Sequence, residues 1–139
     1  MSILQTQTTS FKAELYQGIH DLTTDVIKIA LYTANANLNA DTTVYTTTNE
    51  IVGTGYTAGG KVMTGITVNT SGYTAYVGFG NVVWTPGAFT ARCALIYNSS
   101  QGNKSVAVLD FGSDKTTTTS FTITMPANTA STALIRSSI

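Results

Sequence analysis

Residues Phe89–Asp114, FTARCALIYNSSQGNKSVAVLDFGSD, read as two apolar strands folded back on each other. Side chains alternate across a strand, so Phe89, Ala91, Cys93, Leu95 and Tyr97 are expected on one face. Asn98–Asn103, NSSQGN, supplies the small polar residues and the glycine that a hairpin loop needs. Val106–Phe111 then returns almost wholly apolar, as a strand buried on both faces would. The block predicts a β architecture and places its core.

Working outward, strand signals recur at close spacing. Asp25–Thr33, DVIKIALYT, is a strong strand, and Lys61–Asn69 alternates with Val62, Thr64, Ile66 and Val68 on one side. Residues 69–72, NTSG, make a turn, and Tyr73, Ala75, Val77 and Phe79 share a face of the next strand. Asn81–Thr85 ends at Pro86-Gly87, Phe121, Ile123 and Met125 lie on one face, and Ala133–Ile135 supplies a last short strand. Gly112–Thr119 is a polar connection, and residues 34–49 form a long Asn/Thr/Ala-rich loop of the kind that carries function or meets a neighbour. The fold class expected is all-β, an antiparallel β-sandwich of jelly-roll or immunoglobulin-like type, in one domain. Residues 1–9 read as an extended arm, residues 10–20 as the one short helix and residues 25–139 as the sandwich. Thr9 or Ser10 would cap the helix, with Phe11, Leu15 and Ile19 on one face and Gly18 weakening its end.

Composition narrows the function classes. Seven basic and seven acidic residues cancel, and charged residues are only 10% of the chain, against about a quarter in ordinary soluble domains. Such a surface lacks the basic footprint of nucleic-acid binding and the polybasic patch of membrane binding. Weakly charged surfaces associate readily, which favours a protein assembled with copies of itself or with a larger partner. Threonine is about a fifth of the residues, far above ordinary usage; its β-branch suits strands and its hydroxyl solvates them without charge. No apolar run reaches bilayer length. Residues 1–15 lack the basic cluster and apolar stretch of a signal peptide, so synthesis and assembly in the cytoplasm are expected.

The chemistry-bearing residues are few and scattered, and no catalytic, cofactor or metal set is expected among them. His20 is the only histidine, and a lone histidine after a helix more often meets its terminal carbonyls than does catalysis. Cys93 sits in an alternating apolar strand, where a thiol behaves as a small hydrophobe. Gly53–Gly60, GTGYTAGG, invites a phosphate-loop reading but lacks the Lys-Ser/Thr ending and the helix that follow one; a β-connection anchored by Tyr56 fits better. Asp110 and Asp114 flank a strand end, too few ligands for calcium and better read as a turn in which Asp accepts from nearby amides. Trp84 with Tyr73, Tyr76 and Tyr97 would make a sugar-stacking platform if exposed, although strand aromatics are more often core.

Four stretches carry a resemblance: KIALYTANANLN from Lys28, EIVGTGYTAGGKVMTGITV from Glu50, TARCALIYNSS from Thr90 and KSVAVLDFGSDKT from Lys104. Together they resemble small structural proteins encoded among the virion genes of tailed bacteriophages. The resemblance implies a multi-copy virion component of the head decoration (cement) kind, with a tail or neck accessory subunit as the nearest rival. It implies no catalytic residue and no cofactor. The partners expected are the chain itself, as a dimer or trimer, and the major capsid protein, with no nucleic acid and no membrane. Candidate contacts are Ile3 and Leu4 in the arm and Leu38, Val44 and Tyr45 in the long loop, where backbone can pair with a neighbour's edge strand. Outside that class, a carbohydrate-binding or adhesin module is the main alternative and an enzyme the least supported.

Overall fold

A computed structural model describes residues 2–138, and its regular structure is almost all strand. In chain order these are β1 Ser2–Ile3, β2 Thr6–Gln7, helix α1 Thr9–Tyr16, β3 Ile27–Tyr32, β4 Asn37–Leu38, β5 Lys61–Val62 and β6 Thr67–Ser71. There follow β7 Thr74–Gly78, β8 Val82–Trp84, β9 Phe89–Asn98, β10 Lys104–Thr117, β11 Phe121–Ile123 and β12 Ile135–Ser137. The main sheet has the order β2-β10-β9-β3-β5, flanked by a three-stranded sheet β12-β7-β6 and the pairs β11-β8 and β1-β4. All pairings are antiparallel except β1 with β4. The result is an all-β, sandwich-like fold with one short N-terminal helix.

The β9–β10 hairpin is its centre, as the opening stretch predicts. Asn98 caps a 3-10 turn at Ser99–Gln101, and Gly102 and Asn103 adopt the left-handed conformation that closes the hairpin. Both faces of the main sheet are buried. Ile27, Ile29, Leu31, Ala94, Ile96 and Val106 pack into a large core with Phe11 and the aromatics Trp84, Phe89 and Phe121. Ala30, Tyr32, Cys93, Leu95, Tyr97 and Val108 form a second core on the other face, covered by Ala36 and Leu38. Burying each such Ile or Leu is worth roughly 1.5–3 kcal/mol, and β3, β9 and β10 supply about half of the buried apolar residues of the two cores.

Several local expectations are corrected. Phe89 and Ala91 belong to the large core, whereas Cys93, Leu95 and Tyr97 belong to the second. The switch coincides with a bulge: Asp110 pairs with Cys93 but Lys115 with Ala91, so extra residues of β10 rotate the pair there. Beyond that bulge residues 115–117 continue as strand, not as a polar connection. The helix is capped by Thr8, whose hydroxyl accepts from the Phe11 amide, and it stops at Tyr16. Gly18, at φ +71°, ends it: the Gly18 amide donates to the Leu15 carbonyl and the Ile19 amide to Glu14, a Schellman arrangement. Ile19 is therefore outside the helix, and Leu15 is exposed.

The Lys61–Asn69 strand is split in two, and Met63, not Val62, is the buried residue of that stretch. The Met63 amide donates to the Ile27 carbonyl, which turns its side chain to the core before Gly65 breaks the strand at φ +66°. The turn predicted at 69–72 is shifted to Gly72-Tyr73, leaving Tyr73 in solvent and not on the face of Val77 and Phe79. The last strand likewise starts later, at Ile135.

Candidate interaction surface

The five expected contact residues separate into two groups. Residues 2–7 are not a free arm: β1 pairs with β4, the Leu4 amide donates to the Leu38 carbonyl at 3.0 Å, and β2 pairs with Ala107 and Val108 of β10. Leu38 is 1% exposed and Ile3 half-buried, both packed into the second core. Tyr45 is stacked on Tyr97 with ring centroids 4.7 Å apart. These three apolar side chains are spent inside the chain because the second face of the main sheet needs a cover. Leu4 and Val44 remain on the surface, 53% and 48% exposed.

The long loop is held by a hub the sequence reading passed over, Glu50. Its Oε1 accepts from the Tyr45 hydroxyl at 2.6 Å, and its Oε2 accepts from the Gly59 amide at 2.8 Å and from the Tyr56 hydroxyl. Tyr56 in turn accepts from the Leu31 amide of β3 at 3.0 Å. The Tyr97 hydroxyl donates to the Gly59 carbonyl and that of Tyr32 to the Thr46 carbonyl, both at 2.6 Å. Burial first, then the Glu50 carboxylate, lifts these phenols above their ordinary range, Tyr97 to about 12. The spacing Tyr45, Glu50, Tyr56 in a loop otherwise poor in charge was the available signal.

The same geometry disposes of the phosphate-loop reading of Gly53–Gly60. A Cβ on Gly60 would stand 1.8 Å from the Ile29 carbonyl oxygen and one on Gly55 1.8 Å from that of Pro86. These glycines let the connection lie against β3 and the 86–87 turn, with Tyr56 as its anchor.

The other chemistry candidates do not come together. His20 Nε2 donates to Glu14 Oε1 at 2.8 Å, and its Nδ1 accepts from Asn98 Nδ2 at 3.0 Å. Asn98 is oriented by two further bonds, donating to Asp25 at 2.8 Å and accepting from the Ser100 amide. His20 thus joins α1 to the central hairpin and does not meet terminal carbonyls. Cys93 lies in the second core, its thiol pushed up to about 12 by burial and the Asp110 charge, the reverse of what a thiolate nucleophile needs. Asp110 meets Arg92 at 3.2 Å and accepts from the Gly112 amide at 2.8 Å, as a turn aspartate does. Trp84 and Tyr97 are buried, so the aromatic platform does not exist at the surface. Among the described residues no group of three or more His, Cys, Asp or Glu side chains is placed to hold a metal ion, and no helix is long and apolar enough to cross a membrane.

Two surface features lay outside the sequence reading. The β6–β7 hairpin stands out with every residue of β6 exposed. Beside it a groove of about 500 Å³ runs between the end of α1 and the β12-β7-β6 sheet, lined by Phe11, Leu15, Val68, Val77 and Ile135. No protein-family model, curated protein or solved structure matches the chain.

Proposed function

We propose that the chain is a multi-copy structural subunit of a tailed-bacteriophage virion, acting as a decoration (cement) protein bound to the major capsid protein of the head. The observation that carries the reading is an internally tied body with a charge-poor, net-neutral exterior. The main sheet has both faces sealed by the chain's own segments, and the long loop is tied to β3 and β9 through Glu50, Tyr56 and Tyr97. A cement subunit works by adding buried area across joints between capsid subunits, and each contact made only in the assembled state stabilises it by mass action. Stiffness lowers the ordering cost of such contacts. The stretches that carry the resemblance to virion proteins coincide with β3, the Glu50-bonded connection and the β9–β10 hairpin.

Since Ile3, Leu38 and Tyr45 are occupied internally, Leu4 and Val44 are the members of the expected set left to meet a capsid. The test is rebinding of purified protein to particles stripped of it. Leu4→Asp and Val44→Asp together should lower occupancy several-fold with circular dichroism unchanged. Undiminished occupancy would remove these residues from the contact, and absence of the protein from heads in favour of tails would replace the decoration role with the tail or neck one.

A further inference from the structure

We propose that the outer edge of β6 is a self-association site, at which two copies pair antiparallel about a two-fold axis through Asn69 and join their three-stranded sheets into one of six strands. The inference deepens the virion reading by naming one partner as a second copy, and it rests on that reading only for its biological setting.

Sheet margins in monomeric proteins are kept short, charged, bulged or covered. This chain follows the rule elsewhere: β1, β2, β4 and β5 have 2 residues each, and β8, β11 and β12 have 3. The part of β10 beyond β2 carries the bulge and Lys115. β6 departs from it. It is 5 residues long, exposed throughout, and pairs with β7 in unbroken register from Thr67–Gly78 to Ser71–Thr74. Among the described residues no strand lies on its other side. Thr67–Gly78, TVNTSGYTAYVG, contains no charged residue and no proline.

The hairpin is also stiff. Gly72, at φ +58°, takes the first position of a two-residue turn whose second, Tyr73, has negative φ, as in the II′ turns that match strand twist. Asn128 Nδ2 donates to Thr67 Oγ1 at 3.0 Å and to Asn69 Oδ1 at 3.3 Å, bracing one face.

Geometry selects the register. In a two-residue hairpin the closing pair, Ser71 and Thr74, exchanges hydrogen bonds, and bonded pairs alternate from there. Asn69 and Thr67 therefore aim their amides and carbonyls at β7, while Val68 and Thr70 aim theirs outward. An antiparallel copy centred on Asn69 places Val68 opposite Thr70 of the second copy and Thr70 opposite its Val68. All four outward donors and four outward acceptors are then matched, and β-branched side chains face each other across the new seam. With no charge in the hairpin and a formal net charge of zero, like copies meet no repulsion. Val68 also lines the groove, so the seam extends along its apolar wall.

The test uses the purified full chain in solution, apart from any particle. Sedimentation velocity should give a dimer at tens of micromolar, and Val68→Lys with Thr70→Lys should give a monomer with unchanged circular dichroism and melting temperature. Asn69 and its symmetry mate form a non-hydrogen-bonded pair with Cα atoms about 4.5 Å apart, within disulfide reach. Asn69→Cys should therefore cross-link under mild oxidation, whereas Ser71→Cys, about 14 Å from its mate at 3.4 Å per residue, should not. The native Cys93 is fully buried and does not interfere. A monomeric wild-type chain, a dimer that survives the lysine pair, or equal cross-linking at both positions would overturn the proposal. A wild-type monomer whose particle binding is lost in the lysine variant would assign the edge to the capsid protein and leave the virion reading standing.

Discussion

Glu50→Ala removes the one side chain that bonds Tyr45 of the long loop together with Tyr56 and Gly59 of the connection after it. The Tyr56 hydroxyl and the Gly59 amide lose an anionic acceptor in a partly buried site, and the more exposed Tyr45 hydroxyl loses a third bond at 2.6 Å. A hydrogen bond to a charged group contributes about 1.5–3 kcal/mol, and a buried donor left unpaired costs about 1–3 kcal/mol. Water can take the place of the carboxylate for Tyr45, so two bonds count, and the expected loss is about 3–4 kcal/mol. In a domain of this size that lowers the melting temperature on the order of 10 °C. Urea denaturation gives the free energy, and hydrogen exchange at the Gly59 amide reads the site directly. Glu50→Gln keeps an acceptor without its charge and should lose about half as much. A Glu50→Ala variant within about 0.5 kcal/mol of wild type, the range of an ordinary surface substitution, would refute the hub.

Alkaline lability follows from the same tyrosines. Their folded pKa values are raised, so their contribution is fully present below the unfolded phenol value of 10.0 and is lost as pH rises through the folded values. Stability should fall above pH ~10 by up to about 1.4 kcal/mol per pH unit for each buried phenol, against little change between neutrality and that point; a flat denaturation profile to pH ~12 would contradict the burial. Gly60→Ala combines a φ of +80° with a Cβ 1.8 Å from a backbone oxygen of β3, and should cost about 2–4 kcal/mol in urea titrations. Asn98→Ala frees His20 Nδ1 and the Ser100 amide and takes one donor from Asp25, which keeps the Asp21 amide and Gln101. Asp25, whose carboxyl is held below its ordinary value first by Asn98, should then titrate at higher pH in a carboxyl-detected NMR experiment.

The parts of the fold legible from sequence are those where period and burial agree. β3 and the β9–β10 hairpin are dense in β-branched and apolar residues, and the hairpin closes in unmistakable turn chemistry, so the strands themselves and the pairing of β9 with β10 follow directly, whereas the pairing of β3 with β9 does not. Errors gather where tertiary context overrides alternation. Val62 and Ile66 look like a core face, yet β5 is a two-residue margin strand whose pairing with β3 turns Met63 inward. Residues 115–117 read as loop because threonine and lysine are polar, although β-branched threonine is at home in an exposed strand. The N-terminal residues read as an arm because strands of two residues leave no period to detect. Of the contact set, Leu4 and Val44 reach solvent while Leu38 does not: an apolar residue in a polar loop looks the same in sequence whether it meets a partner or its own sheet. The β6 edge was hidden for the opposite reason, since its significance lies in which strand is missing beside it.

The measurement that bears most directly on the proposed role is an electron cryomicroscopy reconstruction of the phage particle in which the proposal places this chain. A decoration role predicts density for the domain repeated over the outer surface of the head, seated across joints between major capsid subunits, with neighbouring copies approaching through their β6 edges. Heads without such density, or density confined to the tail or neck, would contradict it.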